Sequence, residues 1–470
     1  MTIRPTAFLR ELARLTGPLA VQQLLVALSG SVDVMLVAGQ GQTALAAVSL
    51  AVQVQFVFSL FTGGLVLGMS VLVAQHWGAG DRPTSEAVTG LAMREAALVS
   101  AVFVLATALA PRWVMSVFTD ERALIEQGAV YLRASCVVYL ATAVSQVLLC
   151  LMRNTGAAAL GTTVSVVGLA LHAGLGLVLV GGLGPAPELG VGGVAAALVV
   201  SRFLEAAWML GCSLRPGRPR ADRGALLRPG RALVRAFWAL TLPVLANMLV
   251  WGGGFTTYTV IMGRLGEDVV AANAVALLVK DLLVCVCLGL GGAGAILVGN
   301  RLGRGDLAAA RAAGRSVYWS AMVAGALTGL VILAIRPLVV TVAGLSPAAS
   351  RDLSVMLVVC AYYVIGKSVN ATIVSGILPA GGDTRFGLIC DIVAMWCLVI
   401  PVGALAAFVW HWPPLAVYVL LNSDEILKIP AVIWRYRTHR WLRTLSDWNS
   451  DDRHPDTVLD LDLDPDPHDA

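Results

Sequence analysis

A set of small and turn-forming residues recurs in this chain at one unchanging offset, and this limits the fold more than any other feature. Thr16, Pro18, Gly41, Ala46, Ala47, Gly64, Gly78, Gly80, Asp81 and Gly156 return 225 positions later as Thr241, Pro243, Gly266, Ala271, Ala272, Gly289, Gly303, Gly305, Asp306 and Gly381. A spacing that holds across so long a stretch requires two copies of one helical unit with no net insertion, an architecture common among duplicated membrane carriers.

With 58% apolar and only 13% charged residues, and a mean hydropathy of +0.80, the chain belongs in a bilayer. A span needs roughly 20 mostly apolar residues, and twelve stretches meet that need. They run 16 to 38, 46 to 74, 88 to 110, 128 to 152, 160 to 182 and 191 to 213, then 233 to 262, 270 to 298, 314 to 335, 349 to 378, 384 to 409 and 414 to 436. The expected fold class is all-α integral membrane, with twelve transmembrane helices in two six-helix repeats. Residues 1–14 form a cytoplasmic N-terminus, 15–213 a first lobe, 214–232 a basic cytoplasmic linker, 233–436 a second lobe and 437–470 a cytoplasmic tail. From about 447 that tail is dominated by Asp and Pro and is expected to be disordered.

Arginine marks the cytoplasmic side, because short internal loops accumulate Lys and Arg. Arg4, Arg10 and Arg14 precede the first span, and alternate loops carry Arg82, Arg153, Arg301, Arg304, Arg311, Arg315 and Arg385. Connections such as 39 to 43, 181 to 190 and 411 to 414 are charge-poor, so both termini fall inside. The linker holds Arg215, Arg218, Arg220, Arg223, Arg228 and Arg231. It suits anionic headgroups better than nucleic acid. The first apolar stretch reads as an ordinary span and not a cleaved signal, since its copy at Pro243 is internal.

Catalysis and metal binding find no support. The eight cysteines fall in apolar stretches without a CxxC or a His partner, and read as core residues. The glycine runs 252–254 and 289–294 lie within spans and lack the Lys-Ser/Thr ending of a phosphate loop, so helix packing explains them. No metal motif, nucleophile elbow or paired acidic motif occurs. The chain is expected not to be an enzyme and to use no cofactor beyond a coupling ion.

The first span and its loop contain Gly17-Pro18-Leu19, Val32-Asp33-Val34-Met35 and Ala44-Leu45-Ala46-Ala47-Val48-Ser49. The second copy adds Leu242-Pro243, Gly266, Ala271-Ala272-Asn273, the loop from Val298 to Asp306, and Gly381-Gly382-Asp383-Thr384. Together they resemble the multidrug and toxic compound extrusion (MATE) family over roughly residues 12 to 445. The resemblance implies a V-shaped bundle of two six-helix lobes around a central cavity, opened alternately to each side by a proton or sodium gradient. It also implies the first-helix coupling aspartate at Asp33.

Burying a carboxylate costs several kcal/mol unless it is paired or protonated. Asp33, about fifteen residues past Pro18, is therefore the prime ion-coupling candidate. Where family members often carry an Asn and an Asp in the fifth span, this chain has His172 and Gly176, and a sixth-span threonine is replaced by Leu198. Sodium wants several hard oxygen ligands, whereas a proton needs only a titratable acceptor, which an imidazole supplies near neutral pH. Proton coupling through Asp33, with His172 as partner or relay, is the expectation, and sodium coupling the alternative.

In the second copy, the acidic positions of sodium-driven members fall on the apolar run 248 to 251 and near Lys367-Ser368, so the second-lobe acidic site reads as lost and coupling is assigned to the first lobe. Lys280 and Lys367 sit mid-span. They should line the cavity or pair with Asp281 or Asp391, and lining it would disfavour simple cationic substrates. Arg202 with Glu205, and Lys428 with Asp424 and Glu425, read as local pairs. Gln53, Gln55, Gln146, Asn247, Tyr258, Lys280, Lys367 and Asn370 are the candidate cavity residues, and Pro18 and Pro243 the candidate hinges.

The expected function is secondary antiport exporting a small organic substrate across a bacterial inner membrane. The partners are that substrate and the lipid bilayer, with no nucleic acid and no obligatory protein partner. A lipid-linked precursor flippase of the same superfamily is the alternative.

Overall fold

The computed structural model describes residues 5–182 and 187–444, with side chains from Phe8 onward. The predicted acidic tail from about 447, Arg4, and part of the 181 to 190 connection lie outside the described residues. The first copy comprises α1 (Pro5–Leu36), α2 (Gln42–Gly78), α3 (Arg82–Leu109), α4 (Pro111–Ser116), α5 (Arg122–Ser135), α6 (Val138–Asn154), α7 (Ala158–Gly181) and α8 (Val191–Ser213). The short α9 (Arg223–Leu227) lies in the linker. The second copy comprises α10 (Arg231–Gly263), α11 (Glu267–Gly303), α12 (Leu307–Val342), α13 (Pro347–Thr372), α14 (Leu378–Ala380), α15 (Arg385–Asp391), α16 (Ile400–Phe408), α17 (Pro414–Leu421) and α18 (Asp424–Arg437). Single π-helical segments join α13 to α14 and α15 to α16.

Among the described residues ten helical segments are long and apolar enough to cross a membrane, and α5 with α6, bent by 52°, makes an eleventh. The helix is interrupted at Cys136 and Val137, just after Ser135 donates its hydroxyl back to the Tyr131 carbonyl at 2.8 Å, a bond that competes with the backbone ladder. The second copy has Cys360 in place of Ser135, and α13 runs straight on through its π-helical segment. The predicted twelfth span, 414 to 436, is the two helices α17 and α18, broken at Asn422 and Ser423. Buried Asp424, Glu425 and Lys428 interrupt its apolar character. Rows such as Trp319, Val323, Leu327 and Leu330 along α12 are exposed, an arrangement that suits hydrocarbon and not water.

The repeated loop aspartates are helix caps: Asp81 accepts from the Thr84 amide at 3.1 Å and Asp306 from the Ala309 amide at 2.8 Å. Two of the repeated glycine pairs, Gly64 with Gly289 and Gly78 with Gly303, lie in the seam between lobes. Helix α1 packs on α11 and α2 on α10, as a pseudo-two-fold axis demands. A Cβ at Gly64 would strike the backbone of Leu245, and one at Gly289 the backbone of Ala20; Ala20 and Leu245 are themselves repeat partners. Likewise Gly78 faces Asn300, and Gly303, the repeat partner of Gly78, faces Gln75, the repeat partner of Asn300. These approaches all lie in the halves of the helices that lead to the Asp81 and Asp306 loops, so the lobes are closed at that end.

Helix α1 begins ahead of the predicted first span. Residues 5 to 14 are helical and docked, because Phe8 and Leu12 are buried and Glu11 pairs with Arg301 at 3.0 Å. Pro18 and Pro243 lie inside helices that run on without a break. The linker is also ordered against the first lobe: Arg82 donates to the carbonyls of Gly217 and Arg218, and the Asp222 amide to the Glu86 carbonyl at 3.0 Å.

Candidate ion sites in the two lobes

Near the end of α1, three residues before its last, Asp33 is fully buried and its Oδ1 stands 3.1 Å from Nε2 of His172 on α7. His172 is 2% exposed, so the pair is closed off from solvent. The attraction of unit charges at that separation is about 5 kcal/mol at an effective dielectric near 20, while removing each ion from water costs several kcal/mol. The two terms are comparable, so the pairing offsets much of the cost of burying these groups. Neither carboxylate oxygen and neither ring nitrogen has an aligned hydrogen bond.

Tyr131 on α5 completes this site and was not foreseen from sequence. Gln55 on α2 donates to the Tyr131 oxygen at 3.0 Å, which frees the phenolic proton to face Asp33, within reach of it but off the line of an ideal bond. A buried tyrosine hydroxyl needs a partner; that requirement was the one available clue. Gln55, predicted to line the cavity, instead belongs here. Gly176 leaves room for Leu36 to cover the site, and Leu198 is buried. The predicted Arg202–Glu205 pair forms at 2.8 Å, and it also ties three helices together: Arg202 donates to Ser29 at 2.7 Å, and Ser165 to Glu205 at 3.1 Å.

In the second lobe the seventh and tenth spans carry no acid at the expected positions, but buried acids arrive from α15 and α18. Lys428 lies 2.9 Å from Asp391, 3.2 Å from Asp424 and 3.5 Å from Glu425. Lys367 reaches Glu425 at 3.0 Å, so its partner is neither Asp281 nor Asp391 as expected. Only the α18 residues are neighbours in sequence; α15 and α13 come to them through tertiary packing, which no local spacing reveals.

The remaining predicted cavity residues divide accordingly. Asn247 donates to Asp391 at 2.7 Å and Asn370 to Glu425 at 2.8 Å, so both serve the buried cluster and not an open wall. Lys280 is buried, 4.5 Å from the Tyr363 ring centre and 3.5 Å from the Asn422 oxygen. Lys367 lies 4.8 Å from the Trp251 ring centre. Tyr258 keeps a buried, unpartnered hydroxyl. Gln53 is exposed and Gln146 half-buried. Cys397 is exposed, and Cys136 and Cys390 half-buried, so these three are not core cysteines. Among the described residues no three His, Cys, Asp or Glu side chains gather at metal spacing.

The MatE family model matches twice, over residues 18–178 and 243–405, and the two matches begin at the repeat partners Pro18 and Pro243. Probable multidrug resistance protein NorM of Deinococcus radiodurans is 30% identical over 87% of this chain and 90% of its own length. Multidrug resistance protein PmpM of Pseudomonas aeruginosa is 25% identical over 85% of this chain and 84% of its own. The bent form of the Vibrio cholerae MATE transporter VcmN superposes with a TM-score of 0.82 at 16% identity, covering 94% of this chain and 99% of that one. A MOP superfamily transporter from Pyrococcus furiosus gives 0.82 at 17%, covering 93% and 98%. The two-lobe fold is thus shared with solved transporters, and the chain belongs to the MATE family: it is a multi-pass membrane transporter and not an enzyme.

Proposed function

We propose that this protein exports small organic molecules across a bacterial inner membrane by proton antiport, with both termini in the cytoplasm, Asp33 as the proton carrier and His172 as its partner. The observation that carries the reading is the solvent-free 3.1 Å contact between those two side chains. With one proton between them the pair has no net charge; with none it is an uncompensated carboxylate, and with two a cation. Buried in a membrane, only the neutral form is inexpensive, so the pair must exchange a proton when the cleft admits water and substrate. The neighbours of Asp33 are a ring nitrogen and a phenol, a poor set for sodium, which prefers several oxygen ligands.

Relatives named as multidrug resistance proteins support a small organic substrate. Gln53 and Gln146 remain the polar cavity candidates. With Lys367 neutralised by Glu425, the charge argument against cationic substrates loses its force. Pro18 and Pro243, each in a helix of the inter-lobe seam, are placed to act as hinges.

The test is substrate efflux from proteoliposomes under an imposed pH gradient. Asp33→Asn should lose gradient-driven efflux while purifying with normal thermal stability, and the wild type should need no sodium. Full efflux in Asp33→Asn, or a strict sodium requirement, would overturn the reading.

A further inference from the structure

The cluster on α18 carries an odd charge. Asp391, Asp424 and Glu425 are all buried, and two ammonium groups, Lys367 and Lys428, face them. Widening the circle to α11 adds Lys280 together with Asp281 and leaves the same excess of one negative charge. The start of α18 directs about half a positive charge at Asp424 and Glu425, which offsets part of that excess and leaves the rest. An uncompensated charge inside a membrane costs several kcal/mol.

Hydrogen bonding identifies which acid gives way. Asp391 takes Lys428 on one oxygen and Asn247 on the other, at 2.9 and 2.7 Å. Glu425 takes Lys367 on one oxygen at 3.0 Å and Asn370 on the other at 2.8 Å. Both are saturated by donors, as carboxylates should be. Asp424 has Lys428 on Oδ2 at 3.2 Å, but its Oδ1 is buried with no donor. Facing this residue are Glu425 and Lys428 from its own helix, Lys367, Tyr362 and Tyr363 from α13, and Tyr258 from α10, while Asp391 from α15 shares Lys428 with it. The Tyr258 hydroxyl is itself buried and unpartnered.

We infer that Asp424 holds a bound proton on Oδ1 at neutral pH, making the second lobe a separate proton-binding site beside the Asp33 pair. Tyr258, the two-fold counterpart of Asp33, lies within electrostatic reach of Asp424, with its own hydroxyl buried and unpartnered. The two copies thus keep a proton at related places in different chemical hands: the first carries the carboxyl on α1, and the second moves it to α18. The carboxylates surround Lys428 and do not converge on a shared metal position, which favours a proton over a bound cation. This inference does not depend on the role given to Asp33.

The test is infrared difference spectroscopy of the purified full chain in lipid nanodiscs, following the carbonyl stretch of protonated carboxyl groups. The wild type should show a component that persists in Asp33→Asn and disappears in Asp424→Asn. Asp391→Asn should remove it too, because the cluster is then neutral without the proton. Asp391→Asn serves where Asp424→Asn is not recovered folded. A wild-type band lost wholly in Asp33→Asn, or an unchanged band in Asp424→Asn or Asp391→Asn, would overturn the inference. So would calorimetric sodium binding that Asp424→Asn abolishes.

Discussion

The two lobes share a backbone plan and differ in how they handle buried charge. In the first, Asp33 sits beside one imidazole and one phenol, and Glu205 pairs separately with Arg202; in the second, three acids surround Lys428 with help from Lys367 and two asparagines. At the two-fold positions, Asp33 corresponds to Tyr258, His172 to Cys397 and Gln55 to Lys280. The seam between the lobes does not diverge in this way, since Gly64 and Gly289 meet repeat-related partners. The difference teaches that close backbone approach constrains both copies alike, because no side chain replaces a missing Cβ. Buried charge only has to balance within a lobe, so its bearers can move from helix to helix.

The most severe way to probe this contrast is to remove the hub of one lobe. Lys428→Met would leave three buried carboxylates with Lys367 alone, and truncating one partner of a buried ion cluster costs about 3–5 kcal/mol. Arg202→Met in the first lobe should cost less, because Arg202 is half-buried and a single acid, Glu205, is left behind. Thermal unfolding of the purified variants should therefore rank Lys428→Met well below Arg202→Met. Equal losses would mean that the second lobe is no more dependent on its charge cluster than the first.

The seam should respond symmetrically where the charges do not. Gly64→Val and Gly289→Val each force a side chain against backbone, at Leu245 and Ala20, and overpacking of this kind costs about 1–3 kcal/mol. Each variant should lower thermal stability by a similar amount and raise thiol-reagent access to a cysteine placed at Gln75, which lies at the closed end. A large effect from one glycine and none from the other would break the two-fold argument.

Much of this architecture was legible in the chain. The constant offset gave the duplication, and prolines, glycines and loop aspartates gave its registration. Asp33 and His172 stood out because each is a polar residue in an apolar span. Tyr131 did not, since a tyrosine is as much at home in an apolar wall as in a polar site. The α18 cluster was half visible: Asp424 and Lys428, four apart, share a helix face, but Asp391 and Lys367 join them through packing between distant segments. The bend after α5 and the break before α18 were illegible, because one follows a serine that bonds its own helix and the other depends on charges that are neutralised only after folding.

The finest comparison concerns one polar clamp in each lobe. Gln22 on α1 donates to Thr162 on α7 at 2.8 Å, and its repeat partner Asn247 on α10 donates to Asp391 on α15 at 2.7 Å. The two clamps are geometrically related but join different chemistries. Thr162 also donates to the carbonyls of Pro18 and Ala158, and the Gln22 side-chain oxygen is buried without a donor. Gln22→Leu therefore removes two neutral bonds, the second a long one to the Ala158 carbonyl at 3.4 Å, together with one unsatisfied oxygen, and the effects largely offset, within about 1 kcal/mol. Asn247→Leu instead strips a donor from a buried carboxylate, which costs about 1.5–3 kcal/mol. The difference should appear as a lowered thermal midpoint for Asn247→Leu alone. If both leucines are tolerated, the proton held in the second lobe can relax onto Asp391, and the charge there is more mobile than its hydrogen bonds suggest.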